Sequence, residues 1–63
     1  MIGSLRGVVA LLATDYCLLE NNGVGYRVFM PAISLSQIKT GQEIRVITYM
    51  AVREDAILLY GFL

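Results

Sequence analysis

A strict alternation with a period of two residues, rather than a helical repeat, governs the second half of the chain. From residue 44 to residue 53 every second side chain falls on one mainly apolar face, and the run is rich in β-branched residues. That face carries Ile44, Val46, Thr48, Met50 and Val52. Because successive side chains of a strand point to opposite sides, the spacing predicts a long strand. A second strand is predicted over residues 56–63, and residues 53–55 between the two are typical of a hairpin connection.

The first half of the chain predicts three further strands. They are expected at residues 1–13, 16–20 and 26–30. Residues 21–25, which are rich in Asn and Gly, are predicted to form the turn before the third strand, because both residue types tolerate positive φ. Gly3 and Gly7 lie in the first strand segment, where glycine supplies a bulge, a bend or a close backbone approach. Such a strand can coil and pair with two neighbours, as a small barrel requires.

One short helix is predicted between the third and fourth strands. Ser34 and Gln37 are spaced as a capping box. Leu35 and Ile38 form an apolar pair one turn apart, and Gly41 fits a C-terminal stop. The helix is therefore expected over residues 35–39. Three strands, a helix and two strands is the order of the OB-fold, so we predict an all-β, five-stranded Greek-key barrel. An SH3-like barrel has a similar strand count, but the position of the helix favours the OB-fold.

Composition excludes several functional classes. The 63 residues contain five basic and five acidic side chains, and this zero net charge is not expected of a stand-alone binder of phosphate backbones. The longest uncharged run, residues 28–38, is broken by Pro31 and is too short to span a membrane. The single cysteine, Cys17, excludes an internal disulfide and indicates a reducing, cytoplasmic setting. Hydrophobic residues make up 57% of the chain, so we expect part of the apolar surface to be covered by another surface.

The sequence offers little support for catalysis. The chain has no histidine, which is the commonest general base and metal ligand. Cys17 lies in an apolar strand and is expected to be a small core residue rather than a nucleophile. Gly23-Val24-Gly25 lacks the third glycine and the following helix of a dinucleotide-binding loop, so a structural turn is favoured. We therefore predict no catalytic residue, no cofactor and no metal site.

Glu54 and Asp55 are the candidate functional residues. They are adjacent in the predicted hairpin connection, where both carboxylates can reach water and keep their charge. No cleft separates their environments, so they are poor candidates for a general acid and base, and a solvated turn would also account for them. The six aromatic residues would suit base stacking in a single-strand-binding OB-fold, but the basic residues are scattered and core or interface packing is favoured. A nucleic-acid module and a purely structural interaction barrel both remain as alternatives.

Segments distributed along the chain resemble the N-terminal domain of the RuvA family, bacterial proteins that recognise Holliday junctions. They are Met1-Ile2-Gly3 with Leu5 and Gly7, Gly23-Val24-Gly25-Tyr26 with Val28 and Pro31, Val52-Arg53-Glu54-Asp55-Ala56, and Leu59-Tyr60-Gly61-Phe62. The resemblance runs from residue 1 to residue 62. The ordered set is more specific than any one segment, and the Val-Arg-Glu-Asp-Ala segment followed by Leu-Tyr-Gly-Phe is its strongest part.

The resemblance implies an OB-fold and a role in branch migration during recombination, DNA repair and the SOS response. It implies a homotetramer that binds Holliday junction DNA, with Glu54 and Asp55 as an acidic pin that repels phosphates at the crossover. It further implies no catalysis by this domain, since ATP hydrolysis belongs in that family to the RuvB motor, and RuvC resolvase is a further partner. Residues 1–63 would be a single N-terminal OB-fold domain, without the family's helix-hairpin-helix domain and C-terminal motor-binding domain.

Overall fold

The segments with a period of two form the strands of a closed barrel. The computed structural model describes residues 3–63. Its elements are β1 (Ser4–Leu12), β2 (Tyr16–Asn21), β3 (Val24–Phe29), α1 (Ala32–Leu35), β4 (Glu43–Val52) and β5 (Ile57–Phe62). The strands close in the order β1-β2-β3-β5-β4, with a short helix between the third and fourth strands. The predicted all-β, five-stranded barrel of the OB-fold type is confirmed. The part of the predicted first strand at Met1 and Ile2 lies outside the described residues.

Closure of the barrel depends on β1, which pairs antiparallel with both β2 and β4. Val8 lies at the crossing, since it faces Glu20 of β2 and Glu43 of β4, and the register shifts between Val9 and Leu11. A Cβ atom on Gly7 would lie 2.7 Å from the carbonyl oxygen of Glu20. The predicted close backbone approach is therefore confirmed at Gly7. On the opposite side, β3 and β5 complete the barrel through a short parallel pairing.

A two-residue turn connects β2 to β3. Asn22 and Gly23 have φ angles of 50° and 81°, and Asn21 pairs with Val24 directly across them. Positive φ at both central residues is typical of a type I′ turn, whose twist matches the twist of the flanking strands. The predicted turn over residues 21–25 was therefore too wide. Asn21 belongs to β2, and Val24 and Gly25 belong to β3, so the turn itself is Asn22-Gly23.

The predicted helix over residues 35–39 was wrong, because the observed helix starts three residues earlier and ends four residues earlier. The helix begins after Pro31, which has a φ of −60° and makes no side-chain capping hydrogen bond. Proline presets a helix-compatible φ and has no N–H to satisfy, so a helix can start beside it without the expected capping box. Ser34 lies inside the helix instead of capping it. At the C-terminal end the Ser36 Oγ donates to the carbonyl oxygen of Ile33 at 2.6 Å.

Two signals near the predicted helix have other physical causes. Leu35 and Ile38 are both buried, although only Leu35 is helical, so their spacing reflects packing against the barrel. Gly41 does not end the helix. It has a φ of 91° in the turn before β4, and its N–H donates to the carbonyl oxygen of Val9 at 2.7 Å. Gly41 thus ties the connection to β1.

The core lies inside the barrel and under the helix. Its buried members are Val9, Cys17, Leu19, Val28, Met30, Leu35, Ile38, Ile44, Val46 and Leu59. Cys17 is fully buried, as predicted, and its thiol donates to the Met30 Sδ at 3.8 Å. Burial raises the pKa of the Cys17 thiol, because desolvation disfavours the thiolate. The neutral, enclosed thiol behaves as a small apolar side chain.

The inward face of β4 is buried only along the first half of the strand. Ile44, Val46 and Thr48 are buried, whereas Val52 on the same face is 70% exposed. Among residues 3–63, the pairing of β4 with β1 ends at Ile47, and one further hydrogen bond joins the Thr48 N–H to the carbonyl oxygen of Gly3 at 3.0 Å. Met50 still packs partly against the core, and residues 49–52 pair with β5 toward the hairpin tip.

Candidate nucleic-acid interface

The predicted site residues lie at the tip of the β4–β5 hairpin. Residues 49–52 of β4 pair with residues 57–60 of β5, so that Val52 faces Ile57 at the end of the ladder. Within residues 3–63 neither Val52 nor Ile57 pairs with a third strand, and they are 70% and 68% exposed. The hairpin end is therefore a two-stranded ribbon that projects from the barrel. Its connection, residues 53–56, lies away from the core.

Glu54 and Asp55 occupy the bend of this connection. The N–H of Arg53 donates to the carbonyl oxygen of Ala56 at 2.7 Å and closes the loop. Both acidic residues are exposed, as the sequence predicted. Two adjacent carboxylates in water form a fixed negative point at the tip of the ribbon. Because like charges repel, this arrangement can repel other anions that come close to the tip. Within residues 3–63, no group of three or more His, Cys, Asp or Glu side chains is placed to hold a metal ion.

Four aromatic side chains form a row across the outside of the barrel. Tyr49, Tyr60, Phe29 and Tyr16 are in register on β4, β5, β3 and β2. The Phe29 ring centroid lies 5.8 Å from that of Tyr16 and 5.9 Å from that of Tyr60. We call these four residues the aromatic row. Tyr49 is 58% exposed, and the other three are half-buried.

Sequence reasoning missed the aromatic row because it weighed each aromatic residue separately. The alternation in each strand could have placed every ring on an outer face. The alignment of the rings depends on the parallel pairing of Phe29 with Tyr60, which joins strands that are far apart in the sequence. No local pattern reports that register.

Arginine side chains lie on the outer faces that flank the row. The Arg27 guanidinium carbon lies 5.1 Å from the centroid of the Tyr16 ring, within cation–π distance. Arg45 lies on β4, four residues before Tyr49, directly opposite Arg6 of β1. Like charges in cross-strand positions destabilise a sheet, and an anion between them offsets that repulsion. The basic residues, scattered in sequence, are thus partly brought together by the fold.

Much apolar surface is exposed. Among residues 3–63, eleven large apolar side chains are exposed: Val8, Leu11, Leu12, Val24, Ile33, Ile47, Tyr49, Val52, Ile57, Phe62 and Leu63. Ile47 pairs with Phe62 and Val52 pairs with Ile57, so parts of this exposed apolar surface are contiguous. The sequence had predicted an apolar excess of this kind. Within residues 3–63, no helix has the length and apolar character needed to cross a bilayer.

The strand order, the short helix and the acidic hairpin tip define a small barrel domain of the OB-fold class with a candidate nucleic-acid surface. The family model described as the RuvA N terminal domain matches residues 1–61. The chain belongs to the RuvA N-terminal domain family, as the resemblance had predicted.

Curated relatives support the same assignment over the whole chain. The chain is 51% identical over 63 residues to a protein of Bifidobacterium longum strain DJO10A. The aligned region covers all of this chain and 30% of that relative. The chain is 50% identical over 62 residues to a protein of Mycobacterium avium strain 104, and the aligned region covers 98% of this chain and 31% of that relative. The chain is 47% identical over 64 residues to a protein of Acetivibrio thermocellus, and the aligned region covers 100% of this chain and 32% of that relative. Each relative is named Holliday junction branch migration complex subunit RuvA. The chain thus spans about 30% of the length of these relatives.

Proposed function

We propose that residues 1–63 form the N-terminal domain of a Holliday-junction-binding subunit that acts in branch migration during recombination and DNA repair. The observation that carries the proposal is the exposed pair Glu54 and Asp55 at the tip of the projecting β4–β5 hairpin. Family membership and the name of the relatives supply the substrate class. The two carboxylates would act as an acidic pin at the point where the four DNA arms meet.

The pin would work by repulsion. A carboxylate and a phosphate 4 Å apart repel by about 1 kcal/mol in water, and at 0.15 M salt the interaction is screened beyond about 8 Å. Only phosphates that converge close to Glu54 and Asp55 would therefore be affected. The ribbon holds the charges away from the barrel, so they would meet the crossover before the body of the domain. This geometry would disfavour paired duplex across the centre and direct separated strands into the arms.

The remaining functions would lie in other parts of a longer protein. We place the main phosphate contacts in a helix-hairpin-helix domain, since zero net charge makes this domain a poor stand-alone binder. The domain itself would be non-catalytic, with ATP hydrolysis supplied by a RuvB-type motor and strand cleavage by a RuvC-type resolvase in the cytoplasm. Assembly as a homotetramer would bring several pins to one centre and cover part of the exposed apolar surface.

Reversal of the pin charge tests this proposal. In the full-length protein, Glu54→Lys with Asp55→Lys should strengthen binding to linear duplex, because repulsion becomes attraction. Preference for four-way junctions over duplex should fall, and branch migration should slow. Glu20→Lys with Glu43→Lys is the matched control, since both are exposed carboxylates opposite Val8 and the pair changes the net charge by the same amount. Unchanged discrimination and an unchanged migration rate in the pin variant would rule out the pin assignment.

The fragment offers a second test. Residues 1–63 alone should bind four-way junctions poorly, because the phosphate-binding domain is proposed to lie elsewhere. Tight binding by the fragment that weakens steeply with salt would contradict this division of roles.

A further inference from the structure

We propose that the aromatic row is a base-stacking surface for single-stranded DNA. The source of the strand rests on the proposed function, since a pin that opens base pairs at the crossover releases unpaired bases beside it. Tyr49 and Tyr60 pair with each other at the base of the same β4–β5 ribbon whose tip carries Glu54 and Asp55. A base released at the tip would meet these rings first.

The barrel fixes the row in place. The residue that precedes each ring in sequence, or follows it in the case of Tyr16, is buried in the core. These buried neighbours are Thr48, Leu59, Val28 and Cys17. Because side chains alternate along a strand, all four rings point outward. Three spacings of about 4.8 Å between neighbouring strands give the row a length of roughly 14 Å. That length suits a short stretch of nucleotides, as in OB-folds that bind about four or more per domain.

The rings are arranged so that a base can stack on an exposed ring face but cannot insert between two rings. Tyr16 and Phe29 are inclined at 63°, and Phe29 and Tyr60 at 44°, with centroids already at contact distance. A base therefore has no room between them and would stack on an exposed ring face. Tyr49 presents the largest such face, because it is the most exposed member of the row. Every base has a π-face, so this contact would be tolerant of sequence.

The charges around the row fit a strand that crosses it. Arg27 flanks the row on β3, and Arg45 lies four residues from Tyr49 on β4. No charged residue occurs within β5. Asp15 lines a cavity of about 330 Å³ with Phe29, Tyr60 and Phe62 at the β2 end of the row, so it would keep phosphates away from that corner. Arg45 lies on the same side of the row but at its β4 end. The bases would then cover the rings, while the phosphates follow the arginines.

Binding of oligonucleotides to the 63-residue chain tests this surface directly. The probes are a single-stranded oligothymidylate and an abasic strand with the same number of phosphates. The chain has four tyrosines and no tryptophan, so stacking should quench its intrinsic fluorescence. The oligothymidylate should quench and bind, and the abasic strand should do so much more weakly. Two phosphate contacts predict a shallow slope of log K against log salt, about −1.4.

Substitutions on β4 separate aromatic stacking from general apolar contact. Tyr49→Ala should weaken oligothymidylate binding by about 5- to 140-fold, the equivalent of one lost base–aromatic stack. Tyr49→Phe should bind as the parent does, because it keeps the ring. Ile47→Ala is the matched control, since Ile47 is exposed on the same face of the same strand and has no ring. It should change binding by less than about twofold.

Two results would overturn the proposal. One is equal binding of the oligothymidylate and the abasic strand. The other is an equal loss in Tyr49→Ala and Ile47→Ala accompanied by a change in oligomeric state, which would assign the face to contacts between protein chains. A wrong assignment of the pin would be distinguished from either result, because it is tested by a different variant and a different measurement. Glu54→Gln with Asp55→Asn alters junction discrimination in the full-length protein and should leave the fluorescence quench of the 63-residue chain unchanged.

Discussion

Barrel closure at Gly7 gives a sharp stability prediction. In the Gly7→Ala variant the new Cβ would lie 2.7 Å from the carbonyl oxygen and 3.1 Å from the carbonyl carbon of Glu20. Both atoms belong to the backbone, so no side-chain rotation can relieve the overlap. β1 must instead move away from β2 beside the Val8–Glu20 pair, where β1 passes from one neighbour to the other.

The cost can be set against the total stability of the domain. Overpacking typically costs about 1–3 kcal/mol, and a lost ladder hydrogen bond adds about 1 kcal/mol. We therefore expect Gly7→Ala to lower the free energy of unfolding by about 2–4 kcal/mol. A chain of this length has a total of roughly 3–9 kcal/mol. The variant should thus lose a large part of its stability.

Gly3→Ala provides the matched control, because an added Cβ on Gly3 has no atom within 4 Å. Its effect should lie between zero and a gain of about 1 kcal/mol, since alanine reduces the entropy of the unfolded chain. Urea unfolding followed by circular dichroism measures both variants. If Gly7→Ala proves as stable as Gly3→Ala, the close approach of β1 and β2 is not what closes the barrel.

Three further predictions concern single positions. Gly23→Ala should lower the free energy of unfolding by about 1–2 kcal/mol, because Gly23 has a φ of 81°; an unchanged urea midpoint would exclude a type I′ turn. Cys17→Ser should destabilise the fold by about 1–3 kcal/mol, since a hydroxyl replaces a thiol in the core; calorimetry should show a lower Tm than for Cys17→Ala. Burial raises the pKa of the Cys17 thiol, so the stability that it contributes is complete below the pKa of an exposed thiol and falls as the pH rises through the folded-state pKa. Unfolding at alkaline pH should therefore be less pH-dependent in Cys17→Ala than in the parent, and equal slopes would contradict this assignment.

The strands could be predicted from sequence because their signal is local. The alternation from Ile44 to Thr48 placed β4 and its buried face, and the apolar run before Leu63 placed β5 to within one residue at each end. What alternation could not report is where a strand loses its neighbour. Val52 continues the apolar face of β4 yet is exposed, because within residues 3–63 it pairs with β5 alone, at the end of the β4–β5 ladder.

The helix was misplaced because two local rules competed. Ser34 and Gln37 satisfied the spacing of a capping box, but Pro31 had already set the backbone for a helical start. A proline immediately before an apolar segment was the stronger signal. Ile38 lies outside the helix, and its burial results from packing in the barrel core.

One part of the candidate site could be predicted from sequence and the other part could not. Glu54 and Asp55 could be placed on an exposed hairpin from sequence, because two adjacent charged residues between two strands are expected in a connection that reaches water. The aromatic row could not be found, since it depends on the register of β3 against β5. Residues that act alone are readable from sequence, whereas surfaces assembled across non-neighbouring strands require the fold.

The central claim is that the charge of Glu54 and Asp55 discriminates between a junction and a continuous duplex. The direct measurement is the ratio of the Kd for linear duplex to the Kd for a four-way junction, in the full-length protein and in its Glu54→Gln, Asp55→Asn variant. At 0.01 M salt the Debye length is about 30 Å, and two charges at about 1 kcal/mol each predict a ratio roughly 30-fold lower in the variant. At 1 M salt, where the Debye length is about 3 Å, the two ratios should converge. Equal ratios at low salt would contradict the account.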